Sequence, residues 1–367
     1  MLKVCHFISG DLWAGAEAVA FHLLKALRER SDLTVSAILL NEGKLASEIR
    51  NLGIENHVVD EAGRSFPGVF WTTRRILGKG PPDIIHSHRY KENILAYLLS
   101  RAFGEVRLVA TQHGMPEIYA GDVGMKNRFV SKANLSILSR CFDQVVAVSQ
   151  DIKERFEDEY GFRRDKVSVI RNGIEIQDSP EKSRDDETFV IGSSGRLFPV
   201  KDYPLMVEIA REIRKRSNRF LFELAGDGPE RQKIQTLLER YDLNGAFVLR
   251  GHLEKLSTFY QGLDLYLNTS IHEGLPISVL EAMACGLPVV APNVGGIREI
   301  IDNEVEGYLV EERNPKAFAE KCFVLSEDKK LREKMSKAAA EKVKTAFSAE
   351  KMSSEYYNLY LKVVGNH

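Results

Sequence analysis

Short apolar runs alternate with longer amphipathic segments along the first half of the chain. Apolar residues occupy both faces of runs such as Leu2–Ile8, which is typical of strands inside a parallel sheet. Segments such as Ala16–Arg30 place apolar residues at helical spacing instead. Because parallel strands are joined by crossovers that are usually helices, this alternation predicts an α/β domain with a doubly wound, Rossmann-like sheet. The predicted strands are Leu2–Ile8, Thr34–Leu40, Asp83–His86, Arg107–Gln112, Gln144–Val148 and Lys166–Ile170, and the predicted helices include Ala16–Arg30, Lys91–Phe103 and Gln150–Gly161.

One polar stretch interrupts this alternation, which then starts again. Residues 176–187 are mostly polar, contain Pro180 and lack apolar periodicity, so we predict a linker there. We predict a first domain over residues 1–175 and a second Rossmann-like domain over 188–347, with a cleft between them. A last helix, about 348–367, is expected to pack back on the first domain. In the second domain we predict strands at Phe189–Ser193, Phe220–Leu224, Phe247–Arg250, Leu265–Asn268 and Pro288–Ala291, and helices at Pro204–Arg216, Glu230–Tyr241, Ile277–Cys285 and Pro315–Ser326.

Length and composition agree with two folded domains and argue against other classes of protein. At 367 residues the chain is longer than one hydrophobic core usually supports, and 44% of its residues are hydrophobic. A formal net charge of -1 argues against nucleic acid as a partner. No run approaches the ~20 apolar residues of a membrane span. No secretory signal follows Met1, so we predict a cytoplasmic protein.

The stretch Thr269–Pro288 carries the clearest chemical signal. Glu273 and Glu281 are separated by seven residues, and Gly274 and Pro276 lie between them, where a strand-end loop would become a helix. Pro276 fits the first helical position, because a helix leaves that N–H unpaired in any case. One carboxylate would then precede the helix, and the other would lie more than one turn along it.

The start of this predicted helix would form an anion site. The N–H groups of Ile277, Ser278 and Val279 would be unpaired and would point outward at the positive end of the helix dipole. A ligand that bridges Glu273 and Glu281 would carry phosphate at its centre and hydroxyl groups at both ends. A nucleotide-sugar has this layout.

A second motif in the same domain supplies cations. The segment Gly192–Asp202 begins in the first strand of the domain and contains Arg196 and Lys201. Arginine offers a diphosphate a planar fork of donors, and lysine offers it a point charge. The alternative is a surface turn with two solvated cations. The anion site nearby leads us to favour phosphate binding.

The first domain carries less specific signals. Gly15 follows the first strand and opens a helix, where glycine lets backbone approach a phosphate, although a tight turn explains it almost as well. His113 follows Arg107–Gln112, and its alternative is a histidine satisfied by hydrogen bonds at a strand end. His86 and His88 are spaced for one face of a strand. Two imidazoles without a third ligand in view favour a structural or acceptor-side role over a metal site.

The stretch Val123–Phe142 is basic and amphipathic. It contains four cations and no acid, with apolar residues interspersed. Such a segment can rest on an anionic membrane surface, and it is equally typical of a core helix with a solvated basic face. Peripheral contact with the inner face of the membrane therefore stays open.

In combination, these motifs resemble the retaining GT-B glycosyltransferases of glycosyltransferase family 4. The matching motifs run in the family's order over nearly the whole chain. The resemblance implies the GT-B fold, with an acceptor-binding first domain and a nucleotide-sugar donor-binding second domain facing across a cleft. The motifs are Glu273 to Glu281, Gly-Arg-Leu-x-x-x-Lys-Asp at 195–202, His113 with Gly114, Asn172 with Gly173, and Ala-Gly-Ala-Glu at 14–17.

The family pattern, carried over to this chain, implies a role for each matching residue. Arg196 and Lys201 would neutralise the diphosphate leaving group. Glu281 would hold the ribose hydroxyls, Glu273 would hold those of the donor sugar, and His113 would contact the sugar from the first domain. The other substrate-binding positions would be Gly15, Asn172, Gly274, Leu275, Pro276, Ile277 and Ser278, with backbone near Leu253 recognising the base.

The resemblance also implies an activity. The enzyme would move a hexose or N-acetylhexosamine from a UDP- or GDP-sugar to a glycan acceptor, lipid-linked, in cell-surface polysaccharide or glycoconjugate synthesis. No Asp-x-Asp motif is present to hold a metal, so we expect no metal and no cofactor, with Arg196 and Lys201 in the metal's place. Two alternatives remain: an epimerase-like sugar-nucleotide enzyme of the same fold, and a catalytically silent nucleotide-sugar-binding subunit. One departure from the family is that Ala14 precedes Gly15, where two glycines are usual.

Overall fold

A computed structural model of the protein describes residues 1–11, 13–114, 125–176 and 188–365, with the side chains of 125–129 left undescribed. The chain divides into two compact units. The first unit contains Met1–Glu175 together with Ala349–His367, and the second contains Ile176–Ser348. Among the described residues, no helix is both long enough and apolar enough to span a bilayer.

A parallel sheet of seven strands forms the centre of the first unit. Its strands are β1 (Leu2–Ile8), β2 (Leu33–Leu39), β3 (Glu55–Val58), β4 (Ile84–Ser87), β5 (Arg107–Gln112), β6 (Gln144–Ala147) and β7 (Val167–Val169). They lie in the order β3-β2-β1-β4-β5-β6-β7. The helices that follow these strands are α1 (Gly15–Leu27), α2 (Lys44–Asn51), α3 (Phe66–Leu77), α4 (Tyr90–Phe103), α5 (Met125–Cys141) and α6 (Gln150–Asp158).

The second unit repeats this plan with six parallel strands. They are β8 (Phe189–Ser194), β9 (Phe220–Ala225), β10 (Phe247–Gly251), β11 (Leu265–Leu267), β12 (Val289–Pro292) and β13 (Gly307–Val310), in the order β10-β9-β8-β11-β12-β13. The helices are α7 (Tyr203–Arg214), α8 (Arg231–Arg240), α9 (Leu256–Gln261), α10 (Ile277–Ala284), α11 (Ile297–Ile300), α12 (Pro315–Glu327) and α13 (Lys329–Ala346).

The last helix, α14 (Ala349–Gly365), belongs to the first unit and packs against α1. Its start is tied to the segment after β7. The N–H of Ala349 donates to the Ile174 carbonyl at 2.9 Å, and the N–H of Gly173 lies 3.2 Å from the Met352 sulfur. The helix therefore contributes side chains to the interior of a unit whose other residues lie far earlier in the chain.

In each sheet the strand order reverses once. β1 pairs with both β2 and β4, and β8 pairs with both β9 and β11. At such a point the loops from the carboxyl ends of two neighbouring strands diverge, and open α/β sheets bind ligands in the crevice between them. Gly15 and His88 follow β1 and β4, and Lys201 and Glu273 follow β8 and β11.

The predicted fold class is confirmed, and each predicted strand and helix overlaps an observed one. The apolar pattern missed the edge strands β3 and β13 and the helices α2, α3, α9 and α11. Strand β3 lies at the sheet edge with no fully buried residue, so it has no apolar run to reveal it. The helices α9 and α11 are too short to show a helical period.

Candidate functional site

The loop after β8 presents Arg196 and Lys201 through close backbone packing. Gly226 makes this possible, because a Cβ there would lie 1.9 Å from the Gly195 carbonyl oxygen. Leu197 is buried in the core of the second unit. Leu197 anchors the loop, and the adjacent Arg196 is exposed. The Arg196 guanidinium lies 4.8 Å from the centre of the Phe198 ring.

Lys201 and Glu273 meet at the switch point of the second sheet. The Lys201 Nζ lies 2.6 Å from Glu273 Oε1, and the two side chains are only 22% and 10% exposed. The Ser270 hydroxyl donates to the same carboxylate oxygen at 2.5 Å. The Thr269 hydroxyl donates to the Lys201 carbonyl at 2.9 Å. The loops after β8 and β11 are thus joined, and two charges predicted for different parts of one ligand also contact one another.

Arg313 fastens the same two loops and was not predicted. Its guanidinium donates to the carbonyl oxygens of Thr269 at 2.9 Å and Ser270 at 2.8 Å. It also lies 2.5 Å from the carboxylate of Asp202, the last residue of the Gly-Arg-Leu-x-x-x-Lys-Asp motif. Asp202 therefore has a structural partner. Its 111-residue separation from Arg313 explains why no local motif marks the arginine.

A glycine turn positions the backbone of Glu273. The N–H of Gly296 donates to the Glu273 carbonyl at 3.0 Å. Gly295 has a φ of 49°, and a Cβ at this residue would lie 2.1 Å from the same oxygen. Glycine is required here for two reasons, since the left-handed backbone and the close approach both exclude a side chain.

Helix α10 begins at Ile277, as its predicted bounds have it, but Pro276 does not occupy the first helical position. Pro276 is the residue that precedes the helix, with φ -73° and ψ 116°, and Ile277 is the first helical residue. The Pro276 carbonyl accepts from the N–H groups of Val279 at 3.2 Å and Leu280 at 3.3 Å. The prediction that the Val279 N–H is unpaired is therefore wrong. Within the described part of the chain, no hydrogen bond uses the N–H groups of Ile277 and Ser278.

Glu281 is held in place by a tyrosine. The Tyr260 hydroxyl donates to Glu281 Oε2 at 2.8 Å, and it shares a second hydrogen bond of 2.8 Å with the Ser194 hydroxyl. Burial raises the pKa of Glu281 to about 7, although the bond from Tyr260 acts to lower it. The carboxyl group therefore changes between its neutral and ionised forms around neutral pH.

The remaining predicted positions of the second unit lie at the same edge of the sheet. Gly274 and Leu275 are buried between Glu273 and the start of α10. Leu253 is half-buried in the loop after β10, two strands from β8. Their contacts with a base or sugar remain predictions.

In the first unit, Gly15 opens α1 beside a buried ion pair. Among the described residues, none has an atom within 4 Å of a Cβ at Gly15, so their packing does not require glycine there. This favours approach of a ligand over the tight-turn alternative. Nearby, Arg89 pairs with the buried carboxylate of Glu17, and its guanidinium lies 3.7 Å from the Asp11 carboxylate. Burial raises the pKa of Glu17, and Arg89 acts to lower it.

Asn172 and Gly173 lie where the chain leaves β7. Asn172 is buried, and Gly173 contacts Met352 of α14 through its N–H. This motif is therefore part of the packing of α14 on the first unit. A contact between Asn172 and substrate stays a prediction.

Three histidines form a hydrogen-bonded row that ends at His113. His6 Nδ1 and His88 Nε2 are 3.1 Å apart, and His88 Nδ1 and His113 Nε2 are 3.0 Å apart. Burial lowers the pKa of His6 and of His113 to about 3, so these rings are neutral at physiological pH. Nδ1 of His113 has no hydrogen-bond partner among the described residues. It is the nitrogen of this row that a ligand could use.

His6 is the third imidazole that the sequence did not reveal. One ring nitrogen from each of His6, His86 and His88 lies within 4.8 Å of the others. However, His86 shares hydrogen bonds with Tyr360 at 2.6 Å and Thr111 at 2.7 Å, and its ring stacks on His88 with centroids 4.4 Å apart. The in-plane lone pairs of stacked rings do not converge on one ion. We therefore favour a structural hydrogen-bond network over a metal site.

Comparison with known proteins gives the class of this chain. Residues 13–178 match the family described as Glycosyltransferase Family 4, and residues 175–342 match the family described as Glycosyl transferases group 1. Together the two matches cover most of the chain. The protein belongs to the GT-B glycosyltransferases of family 4.

Individual relatives agree with this assignment. The chain is 26% identical over 309 residues to the Escherichia coli UDP-Gal:alpha-D-GlcNAc-diphosphoundecaprenol alpha-1,3-galactosyltransferase, covering 80% of this chain and 78% of the relative. It is 26% identical over 377 residues to the Campylobacter jejuni N,N'-diacetylbacillosaminyl-diphospho-undecaprenol alpha-1,3-N-acetylgalactosaminyltransferase, covering 96% and 98%. The crystal structure of Anabaena HepE with UDP and glucose has a TM-score of 0.85 at 20% identity, covering 99% of this chain and 100% of that one. This likeness confirms the GT-B fold.

Replacement of Gly295 by alanine should displace Glu273. Because the new Cβ would clash with the Glu273 carbonyl and strain the backbone, we expect the free energy of unfolding to fall by at least about 1 kcal/mol. We expect the rate of sugar transfer to fall by a larger factor than this loss of stability explains. Urea denaturation and turnover assays measure the two effects. Gly245→Ala is the matched control, since no described residue lies within 4 Å of a Cβ there. Equal effects of both substitutions would contradict the prediction.

The first unit should lose stability in acid. Burial lowers the pKa of His6, His86, His88 and His113 below the ordinary 6.5, so unfolding takes up protons as the pH falls below that value. Each histidine contributes about 1.4 kcal/mol per pH unit. Burial raises the pKa of Glu92 to about 7, so its proton is released on unfolding and offsets one histidine. The lowered pKa of His22 and the raised pKa of Glu17 act in opposite directions. The net expectation is about 4 kcal/mol lost per pH unit near pH 5 to 6.

Urea unfolding followed by tryptophan fluorescence tests this, because Trp13 and Trp71 both lie in the first unit. His6→Gln should lower the number of protons taken up on unfolding by about one, and with it the dependence of the unfolding free energy on pH. His57→Gln, at an exposed histidine of β3, should leave it unchanged. An identical pH dependence in the wild type and His6→Gln would refute the explanation.

Proposed function

We propose that the protein transfers a hexose or N-acetylhexosamine from a UDP- or GDP-sugar to a lipid-linked glycan acceptor, with retention of configuration and without a metal. This reaction would serve cell-surface polysaccharide or glycoconjugate synthesis at the cytoplasmic side of the membrane. The observation that carries the proposal is the contact of Lys201 with Glu273 at the switch point between β8 and β11.

Lys201 is suited to a diphosphate leaving group. When the bond to the anomeric carbon breaks, negative charge develops on the diphosphate, and fixed positive groups that meet it lower the barrier. The half-buried ammonium group of Lys201 is less screened than a surface lysine. Glu273 already holds it in position, so little reorganisation is required on binding. Arg196 and the N–H groups of Ile277 and Ser278 would complete the anion site in place of a metal.

The two carboxylates suit the hydroxyl groups of a donor. An ionised carboxylate accepts hydrogen bonds from two hydroxyls, and Glu281 would do so with the ribose. Glu273 is bound to Lys201 and Ser270, which lowers its nucleophilicity and leaves it as an acceptor for sugar hydroxyls. This supports a reaction on one face of the sugar rather than a covalent intermediate on Glu273.

The relatives support the substrate classes. The name of the Escherichia coli relative gives UDP-Gal as donor and a diphosphoundecaprenol-linked sugar as acceptor, and the Campylobacter jejuni name also gives a diphospho-undecaprenol acceptor. The HepE structure was solved with UDP and glucose. We assign the acceptor to the first unit, where the buried Nδ1 of His113 has no hydrogen-bond partner among the described residues, and the donor to the second.

Lys201→Ala should lower kcat by about 100-fold or more, because removal of one group that meets developing charge typically has an effect of about 10²–10³. The assay follows sugar transfer from UDP- and GDP-sugars to a diphosphate-lipid acceptor. Lys233→Ala is the matched control, since Lys233 pairs with Glu230 at 2.8 Å in the same unit. Wild-type turnover in folded Lys201→Ala would sink the assignment. Conversion of donor without acceptor would indicate an epimerase, and donor binding without turnover would indicate a silent subunit.

Donor affinity should depend on pH through Glu281. The pKa of this carboxyl is raised to about 7, and only its ionised form accepts two ribose hydrogen bonds. Affinity for an intact UDP-sugar should therefore fall about tenfold from pH 8 to pH 6, as measured by calorimetry. Glu281→Gln should bind weakly at both pH values, with no such change. The same pH dependence in wild type and variant would exclude Glu281 as the cause.

A further inference from the structure

Helix α3 presents an aromatic outer face on the first unit. Its inner side consists of Val69, Thr73 and Leu77, which recur every four residues and are buried. On the opposite side, Trp71 is 61% exposed, and its ring contacts that of Phe70 with centroids 5.3 Å apart. Phe66, the first residue of the helix, is 42% exposed. Large aromatic side chains exposed to water on one short helix are typical of an interaction surface.

The charge around these aromatic side chains is positive. Residues 62–82 contain four cations and no acid, and all four cations are exposed. The Arg74 guanidinium lies 5.4 Å from the centre of the Trp71 ring, so charge and aromatic surface are adjacent. The acids that flank this range, Glu61 and Asp83, are each bound to a partner elsewhere in the first unit. The cations are Arg64, Arg74, Arg75 and Lys79.

Helix α5, the basic stretch predicted from the sequence, fits a membrane less well. Lys132 and Arg140 are exposed, whereas Leu135 and Leu138 are buried. Over residues 130–141, no large apolar side chain is exposed. This part of α5 has charge to attract a bilayer but no apolar group to enter it. The side chains of 125–129 lie outside the described residues.

We propose that α3 is the face through which the protein rests on an anionic phospholipid surface. Trp71 and Phe66 would enter the headgroup region, where aromatic rings are favoured, and the four cations would face anionic lipid. A convex helix with protruding rings matches a bilayer surface, and the absence of acids in 62–82 matches its negative charge. Binding itself is independent of catalysis. Its purpose, to bring the enzyme to a lipid-linked acceptor, rests on the proposed function.

Fluorescence of Trp71 reports this contact directly. The chain has two tryptophans, so Trp13→Phe leaves Trp71 as the sole emitter. With phosphatidylcholine vesicles that contain phosphatidylglycerol, the emission should shift to shorter wavelength and be quenched by brominated acyl chains. With pure phosphatidylcholine the shift should be absent or much smaller. An unchanged Trp71 spectrum on the anionic vesicles overturns the proposal.

Charge reversal then locates the face. Arg74→Glu combined with Arg75→Glu should lower the vesicle partition coefficient about tenfold or more, because two attractive charges become repulsive. Lys132→Glu combined with Arg140→Glu on α5 is the matched control, with the same change in net charge. Equal losses in both variants would mean that net charge alone acts, which overturns the proposal. Binding of a single-stranded oligonucleotide through α3, without binding to vesicles, would also overturn it.

Turnover separates this inference from the catalytic proposal. With a water-soluble, short-chain acceptor, the Arg74→Glu and Arg75→Glu variant should keep the wild-type kcat, whereas Lys201→Ala should lose it. Full activity of Lys201→Ala together with α3-dependent vesicle binding would remove the catalytic assignment and leave the lipid surface in place. Loss of activity in Lys201→Ala, together with no vesicle binding by the wild type, would support the catalytic assignment and overturn the lipid surface.

Discussion

The ion pair between Lys201 and Glu273 joins the two loops on which the proposed donor site depends. An exposed pair contributes little, but this one is half-buried, and the Ser270 hydroxyl binds the same carboxylate oxygen. Arg313 adds a second fastening by binding two carbonyl oxygens of one loop and the Asp202 carboxylate of the other. The charges are therefore positioned before any ligand arrives. This is the arrangement in which electrostatic stabilisation of a transition state is most effective.

The first unit accommodates polar groups in a different way, by burying histidines in the middle of a parallel sheet. A buried imidazole without a partner is unfavourable, and here the rings bind one another, Tyr360 of α14 and Thr111, which in turn binds Tyr356 of α14. The network thus connects β1, β4 and β5 with the last helix of the chain. It ends at His113, where one nitrogen faces no described partner. Stability of the core and the position of one candidate ligand-binding atom depend on the same set of hydrogen bonds.

Much of the candidate site could be predicted because motifs lie at the ends of recognisable strands. Lys201 and Glu273 were assigned to one site from their positions after apolar runs, and the sheet order places both at the switch point. Local detail was less accurate: Pro276 precedes α10 instead of beginning it, since the first turn closes on the proline's own carbonyl. Arg313, Tyr260 and His6 were missed, because each acts through partners distant in sequence and none belongs to a local motif.

Hydrophobic periodicity established the α/β class, the two Rossmann-like units and the loops that carry the charged residues. These properties could be predicted because each depends on residues that are close together in the sequence. The folded arrangement alone established which side chains meet. Lys201 and Glu273 are 72 residues apart, and Asp202 and Arg313 are 111 apart. Contacts at such distances depend on the order of strands in the sheet, and a local pattern of apolar residues does not encode that order.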